Sequence, residues 1–266
     1  MIRTMPALFV GHGSPMNALE DNPWTHAWRR LGAEMPRPRG ILAVSAHWYA
    51  PGTAVTAAAV PRTIHDFGGF PRELYEVRYP APGDPVLAQR VRELLAPLRV
   101  VPNEEWGFDH GTWSVLVHLY PDASIPVVQL SLDETEEPAF HFDLGRRLAP
   151  LRDEGILILG SGNLVHNLHA YGWGRHVPEP YEWAVRFETA ARRLIVDGNA
   201  GPLIGYETLG ADARLSVPTP DHFLPLLYVL GARRSDDAVD FPVEGIDGGS
   251  VSMLAVRISP ARGAAR

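Results

Sequence analysis

The sequence predicts an α/β fold: a single domain with a largely parallel or mixed central sheet flanked by helices. Three observations predict it. Short, continuously apolar runs such as ILAV at 41–44 and ILIL at 156–159 read as strands covered on both faces. Capped amphipathic stretches of helical period lie between such runs. The two kinds alternate, as strands joined by crossover helices do.

The elements follow in order. A strand is expected at 7–10, and Asn22-Pro23 then supplies a cap and a first-turn proline for a helix over 24–31 that Gly32 ends. Strands follow at 40–45 and 53–59. The stretch 61–82 is rich in proline and glycine and is expected as an ordered lid or pocket wall. Asp84-Pro85 opens a helix over 86–95, with Val86, Leu87, Val91, Leu94 and Leu95 on one face. Strands are expected at 125–132 and 156–159, and a long amphipathic helix over 181–197 stops at Gly198. A helix over 224–230 ends at Gly231, and Pro225 belongs to its first turn or kinks it. A strand of mixed polarity at 251–258 suits a more exposed position. No repeat or composition shift divides the chain, so one catalytic domain is expected over 1–266.

Composition narrows the chemistry. The 266 residues are 45% hydrophobic, enough for one sizeable core. No apolar stretch reaches the length of a membrane span, and the N-terminus is too short in apolar residues for a signal peptide. A soluble cytoplasmic protein, with no membrane partner, is the expectation. The formal charge of −7 and the lack of a basic run argue against nucleic acid. There is no cysteine, which removes disulfides, thiolate metal sites and cysteine nucleophiles. All 24 basic residues are arginine, so Schiff-base chemistry and a P-loop lysine are excluded too. What remains is His, Asp, Glu, Tyr, Ser, Thr, Arg, or a metal held by imidazole and carboxylate.

Four histidines sit where strands end or a helix begins: His12 in LFVGHGSP, His47 in ILAVSAHW, His166 in GSGNLVHN and His222 in TPDHFLPLL. Loops after strand ends are where α/β proteins build sites. Each residue also has a plain reading, as a turn histidine at 12 or a half-buried loop histidine at 47. His166 is expected about one turn into a helix, and His222 at a helix N-terminus, where the dipole favours the neutral, ligating imidazole. Asp221 beside it reads as a cap or support. His110, in WGFDHGTW, reads as an oriented acid/base group with Asp109 as partner, or as a structural histidine. Trp106, Phe108 and Trp113 wall a pocket or belong to the core. His65 lines the pocket from the long loop or does not. His169 reads as a surface residue, and His26, His118, His141 and His176 receive no role. GSG around Ser161 is not a nucleophile elbow, and no local motif such as H-E-x-x-H is present. The metal reading therefore rests on convergence in space.

Together, GHGSPMNALEDN, SAHWY, TIHDFGGFPRELYEVRYPAPGDP, WGFDHGTWSVL, SGNLVHNL and TPDHFLPLLYVLGA, in this order, resemble the DOPA 4,5-dioxygenase family of class III extradiol ring-cleavage dioxygenases. The similarity runs from about residue 6 to about residue 256. It implies an α/β fold with a mixed sheet, one mononuclear metal, a catechol substrate and dioxygen. By motif, His12, His47 and His222 are implied as metal ligands, and His166 as a fourth ligand or the adjacent acid/base residue. His110 is implied as a pocket histidine touching substrate or dioxygen. The wider superfamily usually completes its iron site with a glutamate, where this chain has His222. Three neutral ligands leave the full charge of a divalent ion uncancelled and also suit zinc. Fe(II) is thus expected for activity, with Zn(II) as an alternative bound ion, in a monomer or small homo-oligomer. Two other functions stay open: a zinc-dependent hydrolase of an amide or ester, and a non-redox metal-binding protein of the same fold. Arg72 and Arg78 are candidates for holding a substrate carboxylate.

Overall fold

The computed structural model describes residues 4–174 and 179–261, so His176 lies outside the described residues. Ten strands are present among them: β1 (Ala7–Gly11), β2 (Gly40–Ala50), β3 (Thr53–Thr56), β4 (Val100–Asn103), β5 (Val127–Asp133), β6 (Ile156–Gly162), β7 (Ala238–Val243), β8 (Ile246–Asp247), β9 (Val251–Ser252) and β10 (Ala255–Ser259). Nine α-helices are interleaved: α1 (Pro23–Glu34), α2 (Arg72–Glu76), α3 (Pro85–Leu94), α4 (His110–Leu119), α5 (Pro138–Leu148), α6 (Glu182–Val196), α7 (Gly201–Ile204), α8 (Ala211–Ser216) and α9 (Leu224–Gly231).

Eight strands form one sheet in the order β4-β3-β5-β2-β6-β1-β10-β7, and β8 pairs with β9 separately. The centre, β5-β2-β6-β1, is parallel, whereas β10 and β7 run antiparallel beyond β1. The sheet is thus mixed. Alternate residues serve opposite faces. Phe9, Leu42, Val44, Leu130 and Ile158 meet α5 and α9 on one face, while Leu8, Val10, Ile41, Ala43 and Leu159 meet α1 and α4 on the other. With both faces covered, the central strands have no polar side to show, and their sequence is continuously apolar for that reason.

Parallel pairing brings the strand ends to one edge. Val10 and Ser45 both lie beside Ser161 in the register, and Gly11 lies beside Gly162. Against β5, Val44 pairs with Leu130 and Tyr49 with Leu132, so 45–48 bulge outward where β5 spends one residue. His47 is carried out of the ladder on this bulge, a common device beside functional sites.

Several expected bounds shift. The strand expected at 53–59 ends at Thr56, and the one expected at 251–258 is two strands. It breaks at Met253 and Leu254 because Met253 N–H donates to Gly245 O while Leu254 O accepts from Gly11 N–H, moving the chain from one sheet to the other. His166 is not on a helix. It lies in an irregular segment after β6 and forms an isolated bridge with Val251. No helix among the described residues is long and apolar enough to cross a membrane.

Candidate active site

Five imidazoles gather at the edge where β1, β2 and β6 end. His12 follows β1, His47 rides the β2 bulge, His110 is the first residue of α4, and His222 precedes α9. Ring centroids are 5.0 Å apart for His12 and His47, 5.3 Å for His12 and His222, and 5.0 Å for His47 and His222. One ring nitrogen from each of these three lies within 4.8 Å of the others. His110 packs on His47 at 3.8 Å. His166 stacks flat on His222 at 3.5 Å and 6° and is not part of the converging triplet.

Close backbone approach makes this possible. A Cβ on Gly162 would lie 2.1 Å from His222 O, and one on Gly111 would lie 2.5 Å from Ser45 Oγ and 2.9 Å from His47 Cδ2. Glycine at both positions lets the strand end and the helix start close around the rings. The N-cap of α4 is Asp109, whose carboxylate accepts from Thr112 N–H.

Partners at Nδ1 orient His12, His110 and His222. The Ser161 hydroxyl gives its single proton to Gly111 O, so at 3.0 Å from His12 Nδ1 its oxygen accepts. His12 is therefore protonated at Nδ1 and presents a lone pair at Nε2. Asp221 Oδ2 accepts from His222 Nδ1–H. Asp66 Oδ2 lies 2.9 Å from His110 Nδ1 and 3.4 Å from His47 Nδ1. Burial pushes both carboxyls up, but hydrogen bonds from His110 to Asp66 and from His222 to Asp221 outweigh it, leaving Asp66 below the usual range and Asp221 at about 2. Both are thus ionised acceptors, and His110 and His222 turn Nε2 away from these partners.

The consequence is an unusual apposition. His12 Nε2 and His47 Nε2 face each other at 3.1 Å. Burial first, and the neighbouring imidazoles second, hold His12 and His47 well below the ordinary imidazole value, which keeps both rings in the neutral form that ligation requires. Two nitrogens each about 2.05 Å from a tetrahedral ion are about 3.3 Å apart, close to the observed spacing. The donor set therefore fits a divalent transition metal.

Other expectations sort clearly. The partner of His110 is Asp66, not Asp109. Asp109 faces the interior, accepting from Ser45 Oγ–H, Gln129 Nε2–H and Thr112 N–H. Phe108 and Trp113 are fully buried core, and Trp106 stacks on Trp48. Phe67, from the long loop, is the aromatic ring set edge-on to His110 at 5.5 Å. His65 bonds Val77 O and packs among Phe67, Tyr75 and Trp113. His169 is exposed. Arg72 pairs with Glu76, and Arg78 donates to Tyr75 O and Val77 O. Sequence reasoning missed Asp66 and Ser161 as partners of the rings. Asp66 had a signal, a His-Asp pair before paired glycines in an ordered loop, whereas nothing local marked Ser161.

Fold and site together define a class: an α/β protein without cysteine that clusters imidazoles where parallel strands end at one sheet edge. The chain belongs to the family described as the catalytic LigB subunit of aromatic ring-opening dioxygenase, whose model matches residues 6–248, and it is an enzyme of the extradiol dioxygenase type. It is 55% identical over 258 residues to a 4,5-DOPA dioxygenase extradiol of Escherichia coli K12, covering 96% of this chain and 94% of that protein. A 4,5-DOPA dioxygenase extradiol of Beta vulgaris is 36% identical, covering 92% of each. The crystal structure of an uncharacterized protein from Escherichia coli K12 superposes with a TM-score of 0.84 at 49% identity, covering 96% of this chain and all of that one.

Proposed function

We propose that this enzyme opens the ring of a catechol, DOPA or a DOPA-like compound, in a metal-dependent extradiol reaction. His12, His47 and His222 would hold one divalent ion, ferrous for activity, with zinc fitting the same donors. The observation that carries the reading is the convergence of His12, His47 and His222, one ring nitrogen of each within 4.8 Å of the others and the Nε2 atoms of His12 and His47 3.1 Å apart. Bound iron would supply Lewis acidity toward the two catechol oxygens and a redox path from the ring to dioxygen. The overall step balances without a further reductant: the carbon–carbon bond beside one hydroxyl breaks, and both atoms of dioxygen enter the ring-opened semialdehyde acid.

The remaining rings handle protons. His110, bonded through Nδ1 to Asp66, keeps Nε2 free to take a phenolic proton. Burial, and then the proximity of His222, pushes His166 down to about 3, so it too is neutral. The two rings flank the ion site, His110 against His47 and His166 against His222. Between them these rings would take a proton from the catechol and hold it beside the reacting oxygen for return to the product. Phe67 provides an apolar edge for a flat substrate beside His110.

The test is iron reconstitution under anaerobic conditions, then admission of oxygen with a panel of catechols, scored for the yellow ring-opened product. At least one member, with DOPA first, is expected to turn over. Iron-loaded, folded protein that leaves the whole panel unchanged overturns the reading. A zinc-dependent hydrolase would consume no oxygen with any substrate.

A further inference from the structure

The long loop at 61–82 contributes a carboxylate, Asp66, to the cluster of rings. Asp66 makes three contacts. Its Oδ1 accepts from His110 N–H at 2.9 Å, and its Oδ2 faces His110 Nδ1 at 2.9 Å and His47 Nδ1 at 3.4 Å. One carboxylate thus touches a ring of the converging triplet and a ring outside it. We propose that Asp66 is the positioning residue that locks His47 and His110 together in the Nδ1–H tautomer, aiming the Nε2 of one at the ion and the Nε2 of the other at the substrate. This rests on the ion site proposed above.

The loop is built to hold that carboxylate still. Ile64 N–H donates to Phe108 O, Phe108 N–H to Arg62 O, and Trp113 Nε1–H to Ile64 O. Thr63 Oγ1 accepts from Tyr79 N–H, closing the far side. These bonds tie residues 62–64, just before the carboxylate, to the segment leading into α4 and to α4 itself, and close the loop on Tyr79. The side chain is only 17% exposed, so few waters compete for its oxygens. An ionised carboxylate can only accept, so the His110 Nδ1 that it bonds at 2.9 Å carries a proton, and its charge 3.4 Å from His47 Nδ1 favours a proton there too. Oriented carboxylates behind ligating imidazoles raise ligand basicity and hold the ring in place. Here the same group does this for a ligand and for a proton carrier, so displacing it disturbs ion affinity and proton transfer at once.

An amide at 66 inverts the donor pattern. With its oxygen kept on His110 N–H, Asp66→Asn turns an NH2 toward both rings and forces the proton onto Nε2. The test joins zinc titration with long-range 1H–15N spectra of the histidines in metal-free protein at pH 8. Wild type is expected to bind one zinc per chain, and His47→Ala to lose it. Asp66→Asn is expected to bind zinc about 10- to 100-fold more weakly, with a melting temperature within a few degrees of wild type, and His110 leaving the Nδ1–H tautomer. Wild-type zinc affinity in Asp66→Asn overturns the proposal, as does a second zinc per chain that Asp66→Asn abolishes, because Asp66 would then be a ligand. An Nε2–H tautomer on His47 or His110 in the wild type overturns it whether or not the variant folds. If wild type binds no zinc, the ion site itself fails, and the tautomer spectra still decide what Asp66 does.

Discussion

His12 shows how a ligand is prepared by a residue that never touches the reaction. The ring's usable nitrogen is set by Ser161, whose proton is committed to Gly111 O. Ser161→Ala removes the acceptor for His12 Nδ1–H in a fully buried place. Zinc titration is expected to show weaker binding by about 10-fold or more, with stability lower by about 1–3 kcal/mol in denaturant melts. The histidines themselves divide by function. His47→Ala is expected to lose ion binding and turnover together. His110→Ala keeps the ion and loses turnover by about 10²- to 10⁴-fold, the usual worth of a proton-transfer group. Metal analysis alongside kinetics separates the two, and a His110 variant that loses the ion would contradict the assignment.

At the scale of elements, the site depends on strand ends meeting at one edge and on glycines letting backbones touch. Gly162→Ala places a methyl 2.1 Å from His222 O, and the obstacle is main chain, which has no rotamer to turn aside. Overpacking of this kind costs about 1–3 kcal/mol, and the variant is expected to bind zinc more weakly because His222 must retreat. Wild-type affinity would mean that His222 has slack. The central strands β1, β2 and β6 were legible because burial on both faces leaves an unbroken apolar run. The edge strands β4 and β7 were not, since Val101, Pro102 and most of 238–243 are only partly covered and read as loop. Helix α4 was missed for the opposite reason. Nine of its ten residues are buried, so no polar face marks a helical period. The three converging positions were legible as histidines at strand ends and a helix start. Their convergence was not, because it comes from the parallel register, and the role of Asp66 comes from a loop folding back across 44 residues.

Across the whole molecule, burial sets the response to acid. His12 and His47 lie well below the ordinary imidazole value, His166 at about 3 and His141 at about 4, burial being the largest cause for each. In the unfolded chain each titrates near 6.5. Above that value both states are neutral and the stability is fully present. As the pH falls through 6.5, the unfolded chain takes up protons that the folded chain refuses, and each group costs about 1.4 kcal/mol per pH unit. Asp109, raised to about 6 first by burial and then by the charge of Asp66, and Glu188, raised by burial, oppose this, while His118, lowered by burial, adds to it, leaving two groups against five. The melting temperature of metal-free protein is therefore expected to fall steeply from pH 7 to pH 5, and a flat profile would contradict the burial of these rings. Far from the site, Arg152 and Asp237 form a fully buried pair at 2.6 Å, with Arg152 also bonded to Met5 O and Ala232 O. Asp237→Ala leaves that guanidinium unpaired and is expected to cost about 3–5 kcal/mol in denaturant melts, with zinc affinity unchanged in the folded fraction. The central claim, one ion held by His12, His47 and His222 and required for ring opening, is tested most directly by titrating Fe(II) into metal-free protein and measuring oxygen uptake with a catechol. Uptake is expected to rise in proportion to iron and saturate at one iron per chain, with one dioxygen consumed per catechol opened. Uptake that ignores iron, or protein that binds one iron per chain and consumes no oxygen with any catechol, would contradict it.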